Sequence, residues 1–380
     1  MKKTGFDQTA PTKRHASLEM TESTPSKDSS ALKTSNENDE PQPVKRISDD
    51  DLYRNSTQYR LWSFSKESLQ NKRKLLSADI AARFDSKIQS FIEKEGAQLS
   101  SDEIEGLQKE MVPITAHEFL QIVTLYAQKV QLFGTKLKLP TEVTSTAVVF
   151  FKKYYLENSV LDVHPKNMIF TCMFLACKAE NYFINIESFA AKVKQPKESI
   201  LMHEFPLLES LKFTLMVHHP FKSLHGFFLD IQSILYGKVD MQYLGTVYEK
   251  TKKILVDSIL TDVAYLYTPP QITLAALLKE DEQLTLKYLE LKLLGFNINK
   301  EVLNEAEQKR KEQHDKILQT VRECLREMDV SYMPSRDEAW RIDARIHYYL
   351  DPMAFIKRIR KQKEAQTSGE PAQKKVKVEQ

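Results

Sequence analysis

The stretch MIFTCMFLACKAEN, residues 168–181, decides the fold. From Met168 to Cys177 it is almost unbroken apolar sequence, and it then stops on Lys178, with Glu180 two residues later. Pro165 sits where a first-turn proline belongs, so the segment opens as a helix. A helix that is apolar all round needs neighbours on every side. This one is therefore expected to be the hub of a helical domain.

The flanking sequence supplies the neighbours, with apolar residues three and four apart. After Pro113, residues 117–133 place Phe119, Ile122, Val123, Tyr126, Val130 and Phe133 on one stripe, with Gly134 as the expected C-terminal stop. Thr141 and Glu142 start a helix through Val143, Ala147, Val148, Phe151 and Tyr155. Asn185 caps a short helix ending near Val193, and Pro196 opens a fifth that reaches Phe213. The pattern then recurs. His219-Pro220 opens one helix, residues 241–260 give another, and Pro269 leads a second nearly all-apolar helix through Leu278, with residues 281–294 closing the repeat.

The expected class is all-α: two tandem five-helix folds flanked by N-terminal and C-terminal helices, with disordered tails. The boundaries are a tail over 1–50, a helical extension over 51–112, a first fold over 113–215, a second over 216–298, C-terminal helices over 299–356 and a basic polar tail over 357–380. In the first extension Ser65 caps a helix carrying Leu69, Leu76, Ile80, Phe84, Ile88 and Phe91 that ends by Gly96. Beyond the second fold, Asn299 caps a long charged helix, and Ser335-Arg-Asp-Glu338 has the form of a capping box. Thr24-Pro25 has the form of a phosphoacceptor, and residues 374–377, KKVK, resemble a short nuclear import signal.

Composition agrees with helices. Only 9 of 380 residues are glycine, which leaves few sites for tight turns or phosphate loops. Lys and Arg number 55 against 52 Asp and Glu, a net charge of +3, so the concentrated positive field of a nucleic-acid binder is missing. The three cysteines include no CxxC pair, so neither a disulfide framework nor a zinc ribbon is expected. The N-terminal residues lack an apolar signal core, and no window reaches the roughly eighteen apolar residues of a membrane span. The chain is expected to be soluble and intracellular.

Catalytic chemistry finds no support. There is no GxGxxG, GxxxxGK[ST], HExxH or GxSxG. His218-His219 lacks an acidic or cysteine partner at ligand spacing and is expected to be a turn, while Cys172 and Cys177 are expected to be core residues. No cofactor or metal is implied.

Taken together, FFKKYYLENSVLDVHP (150–165), FLACKAEN (174–181) and HEFPLLESLKFTL (203–215) resemble the cyclin box. In that family the central helix ends in a Lys and the fifth helix carries a Glu followed nine residues later by a Phe. The resemblance implies a kinase-binding site of Lys178, Glu204, Leu208 and Phe213, with Ala179 and Glu180 beside them. Further blocks, YRNSTQYRLWSFS (53–65) and LTDVAYLYTPPQI (260–272), resemble the branch of the family that serves the CDK-activating kinase of TFIIH.

That branch implies a non-catalytic, nuclear regulatory subunit. Its partners would be a cyclin-dependent kinase catalytic subunit, a RING-type assembly factor and the TFIIH core, with no direct nucleic acid and no membrane. The kinase would act on the RNA polymerase II C-terminal repeats and on CDK activation loops. Lys152, Lys153 and Tyr154 stand near the family's Asp-Arg-Phe motif but lack its acid, so a buried Asp–Arg pair is not expected there. The competing reading is a transcription-factor-B-like protein, whose paired cyclin folds bind promoter DNA.

Overall fold

The computed structural model describes residues 53–295 and 304–367. These lie within one unit, residues 48–380, and every regular element among them is a helix.

Three extension helices come first. α1 (Thr57–Trp62) is capped by the Ser56 hydroxyl, and α2 (Lys66–Glu95) starts on Ser65, ends at Gly96 and buries Leu69, Ile80, Phe84 and Ile88. α3 (Ser101–Glu110) opens with a reciprocal Ser100–Glu103 capping box.

The first repeat comprises α4 (Ala116–Lys136), α5 (Thr141–Glu157), α6 (Pro165–Ala179), α7 (Ile186–Val193), α8 (Lys197–Leu201) and α9 (Glu204–Ser210). α6 touches every other helix of the repeat. Its residues from Met168 to Cys177 are buried apart from the partly exposed Phe170, as its all-round apolarity requires. Its one buried hydroxyl is satisfied, since Thr171 Oγ1 donates to the Ile200 carbonyl at 2.8 Å.

Two local expectations fail for clear reasons. Gly134 does not stop α4. It lies inside the helix against α5, where a β-carbon would sit 2.4 Å from the Thr144 side chain. It serves close helix–helix approach, and the chain turns out of α4 at Lys138, with φ 53°. Nor is the fifth helix continuous to Phe213. It breaks between Leu201 and Glu204, because the ring of Pro206 is incompatible with a helical carbonyl four residues earlier, at Met202.

The second repeat comprises α10 (Pro220–Ile234), α11 (Met241–Ser258), the one-turn α12 (Val263–Leu266), α13 (Pro269–Glu280), α14 (Glu282–Leu289) and α15 (Glu305–Met328). α13 repeats the device of α6: a first-turn proline, then Ile272 to Leu278 wholly buried. It packs on α10, α11, α14 and α15. The repeat therefore closes at Met328, not at residue 298. Sequence periodicity missed this because α15 is polar for most of its length and buries only Val321, Cys324 and Met328.

α16 (Arg336–Leu350) and α17 (Pro352–Thr367) fold back on the first repeat and its extension. Tyr126 donates to Asp343 at 2.8 Å, Phe84 stacks on Tyr349 at 5.0 Å, and Arg360 pairs with Glu103 at 2.7 Å. Residues 357–367, expected within a polar tail, extend the last helix. Residues 1–50 with Thr24-Pro25, the 374–377 signal and Asn299 lie outside the described residues; α15 takes Asn304 as its N-cap. No described helix is long and apolar enough to cross a membrane.

A polar lock joins the extension to both repeats. Arg73 of α2 forms a bidentate pair with Asp262, at 2.7 and 2.6 Å, between α11 and α12. Lys152 of α5 donates to the carbonyls of Ile259 (2.9 Å) and Thr261. Burial pushes the Lys152 amine down to about 8, against the opposing pull of Asp262. The first repeat thus lacks an Asp–Arg pair at Lys152-Lys153, yet an Arg–Asp pair from other elements lies beside it.

Lys153 is the weak point of this seam. It is 2% exposed, its Nζ has no hydrogen-bond partner among the described residues, and it lies 4.8 Å from the Trp62 ring centroid. Burial holds its pKa at about 7. A base whose pKa is lowered on folding costs stability wherever the unfolded chain is protonated and the native state resists the charge. That cost is full below about pH 7, fades as pH rises from there, and is gone above the unfolded value near 10.5. Lys153→Met is therefore expected to stabilise the protein by about 1–4 kcal/mol at pH 6. Thermal melts should show this advantage shrinking by pH 9; equal or lower melting temperatures at pH 6 would contradict it.

Candidate functional site

The site is built at the C-terminal end of the hub. α6 ends in a Schellman motif: Asn181 takes a left-handed φ of 55° and donates to the Lys178 carbonyl at 3.3 Å, and Tyr182 donates to Cys177 at 2.8 Å. This fixes Lys178 in the last turn, where a cation complements the helix dipole. Its ammonium pairs with Glu204, the first residue of α9, and lies 4.8 Å from the Phe174 ring centroid. The pair is partly open to solvent, with side chains 48% and 20% exposed. Two residues 26 apart in sequence are thus brought together because α8 and α9 both dock on α6.

The remaining expected residues are placed unequally. Ala179 and Leu208 are partly buried against the core. Glu180 turns inward and accepts a 2.6 Å hydrogen bond from Thr146 Oγ1. The same hydroxyl lies 2.7 Å from His219 Nε2. With the hydroxyl proton committed to Glu180, the imidazole must carry its proton on Nε2. Burial, with Lys153, His218 and Lys222 nearby, lowers the His219 pKa to about 4 and keeps the ring neutral.

Phe213 is 63% exposed and sits in an unusual turn. α9 also ends in a Schellman motif, with Lys212 donating to Glu209 at 2.8 Å and Phe213 to Leu208 at 3.0 Å. Both Lys212 and Phe213 have left-handed φ, 54° and 53°. Each such residue costs about 1–2 kcal/mol when it bears a β-carbon, and a bulky aromatic there signals a functional constraint.

Sequence reading missed the apolar residues around this pair. Phe205 (66%), Met202 (65%) and Phe183 (94%) are exposed, and the Phe205 ring meets Phe213 at 6.3 Å between centroids. The signal was available. Met202 and Phe205 fall off the buried stripe of Ile200, Leu207 and Leu211, so they are apolar residues on a face that the core does not use. A partly open charge pair, with exposed Phe205 next to Glu204 in the chain, makes an exposed apolar and charged surface of the kind that marks protein contacts.

A model of the cyclin N-terminal domain matches residues 87–216, and one of the cyclin C-terminal domain matches residues 219–328. Cyclin CCL1 of Saccharomyces cerevisiae is 44% identical over 368 residues, covering 91% of this chain and 93% of that protein. The chain belongs to the cyclin family. Within it, this cyclin resembles the H type, with 29% identity to Cyclin-H of Xenopus laevis over 60% of this chain and 68% of that one.

Two solved structures share this cyclin's fold. One chain of the yeast TFIIK (Kin28/Ccl1/Tfb3) complex is 43% identical, matching 73% of this cyclin and all of itself with a TM-score of 0.55. One chain of the CAK complex from Chaetomium thermophilum bound to ATP-gamma-S is 27% identical, covering 86% and 98%, with a TM-score of 0.64. The C-terminal domain match ends at Met328, which agrees with α15 as the last helix of the second repeat.

Proposed function

We propose that this cyclin is the non-catalytic regulatory subunit of a cyclin-dependent kinase of the CDK-activating, TFIIH-associated type. The carrying observation is the Lys178–Glu204 pair at the end of the hub, set among exposed Phe205 and Phe213. The relatives support the type: Ccl1 stands with Kin28 and Tfb3 in yeast TFIIK, and the Chaetomium chain belongs to a CAK complex.

The physical task is a population shift. A cyclin-dependent kinase alone holds its αC helix away from the active site, so the Lys–Glu pair that orders the ATP phosphates is not assembled. Moving such an equilibrium from about 1% to 99% active takes roughly 5.5 kcal/mol of differential binding. Here Lys178 and Glu204 offer charged groups to the backbone beside αC, and Phe205 and Phe213 offer apolar area to the helix. Leu208 and Ala179 back them, and Glu180, turned inward to Thr146, steadies the last turn of the hub helix.

The nuclear complex then includes a RING-type assembly factor and the TFIIH core. Its kinase phosphorylates RNA polymerase II C-terminal repeats and CDK activation loops. The test is affinity purification of the full chain, mass spectrometry of what accompanies it and a kinase assay on polymerase repeat peptides. A stoichiometric kinase chain with repeat-peptide activity is expected. Recovery of promoter DNA with no kinase would overturn the reading.

A further inference from the structure

Two consecutive left-handed residues bearing large side chains do not hold themselves, and the structure shows what holds Lys212 and Phe213. The next residue, Thr214, donates its hydroxyl to the Leu211 carbonyl at 2.7 Å, and the same Thr214 Oγ1 accepts from the indole Nε1–H of Trp62 at 3.0 Å. The Lys212 ammonium lies 5.0 Å from the Trp62 ring centroid and 3.2 Å from Glu157. Trp62 is 1% exposed and belongs to α1, 152 residues away in sequence from its partner Thr214. The chain just beyond the turn is gripped from the same helix, since Gln58 Oε1 accepts from the His218 N–H at 2.7 Å.

We propose that Trp62 is a positioning residue: a strut from the N-terminal extension that fixes the left-handed Lys212–Phe213 turn and so presents Phe213 to the kinase. The inference rests on the proposed function. It adds that the extension acts on kinase binding through a residue that itself stays buried and touches no partner. The indole is suited to this, because its N–H fixes the turn on the Thr214 side while its ring face receives the cation of Lys212.

The test uses full-length chain and the kinase subunit recovered with it. Trp62→Phe keeps a buried aromatic ring and deletes the N–H, and Thr214→Val deletes the acceptor. Each is expected to weaken kinase binding about tenfold, and the double variant no further than either single, because both remove one bond. Lys212→Gly added to Trp62→Phe should restore most of the affinity, since glycine adopts the left-handed conformation without help. Melting temperatures of the same variants separate this from a general loosening of the fold, in which affinity would follow stability whichever residue was changed.

Wild-type affinity in Trp62→Phe alongside a clear loss in Phe213→Ala would overturn the strut while leaving the site intact. Wild-type affinity in Phe213→Ala and Lys178→Ala together would overturn the site reading and the strut with it. If Trp62→Phe is too unstable to compare, the Thr214→Val and Lys212→Gly arms decide by the same criteria.

Discussion

Lys178→Ala and Glu204→Ala are each expected to lower kinase activation by about 30-fold or more, with little change in melting temperature. The asymmetry follows from where the pair sits. In the free chain both groups are partly solvated, and such a pair contributes only about 0–1 kcal/mol to stability. In a complex the same groups lose water against the kinase backbone, and removing one partner of a desolvated charge pair costs about 2–5 kcal/mol, which is 30-fold at its lower end. Their mutual contact also keeps the long Lys178 side chain from having to be ordered only on binding. Titrating each variant into kinase and reading repeat-peptide phosphorylation gives the result. Half-maximal activation at wild-type concentration in both variants would remove this pair from the site.

Asp262→Ala is expected to cost about 3–5 kcal/mol of stability, the range found when one partner of a buried charge pair is deleted. The alanine would strand Arg73, whose side chain is 14% exposed, and remove the nearest negative charge from Lys152. Burial raises the Asp262 carboxyl, but hydrogen bonds from Arg73 and the charges of Lys152 and Arg73 outweigh it, and its pKa ends below the usual value. A carboxylate held down in this way stabilises the fold above its unfolded pKa of about 3.8 and loses that contribution as pH falls through the lower folded value. Wild type should therefore lose stability below about pH 4 more steeply than Asp262→Ala does. Arg73→Met in the Asp262→Ala background should recover part of the loss, because it removes the stranded cation. Chemical denaturation of wild type and the two variants checks this. A loss under about 1 kcal/mol in Asp262→Ala would mean that the lock is structurally idle.

These two experiments probe different kinds of legibility. The Lys178–Glu204 pair could be anticipated because a family pattern marks both positions, and the place of Lys178 follows from one local fact, that the hub helix ends where its apolar run ends; Glu204 reaches it only because α8 and α9 dock on the hub. The lock could not. Its members, Arg73, Lys152 and Asp262, lie on three separate elements, and although Lys152 stands near a family motif and Asp262 in a resembling block, no pattern pairs them until the repeats are packed. The strained turn was hidden for the same reason, since nothing in Lys-Phe marks a left-handed pair. Two other misses were readable in principle: Pro206 forbids a continuous fifth helix, and Met202 and Phe205 fall off the buried stripe.

Sequence by itself determined most of the helices of the two repeats, several of their N-caps and the two hubs, because a 3.6-residue period, a first-turn proline and a serine or asparagine cap act within a few residues of chain. It also determined that Lys178 would stand at the end of the first hub. Only the tertiary structure decided that Glu180 turns inward to Thr146, that the second repeat ends with a mostly polar helix at Met328, and that Trp62 reaches the Phe213 turn. Each of these depends on contacts between residues far apart in the chain. Such contacts are set by packing and by the desolvation of charges against one another, which no local period encodes.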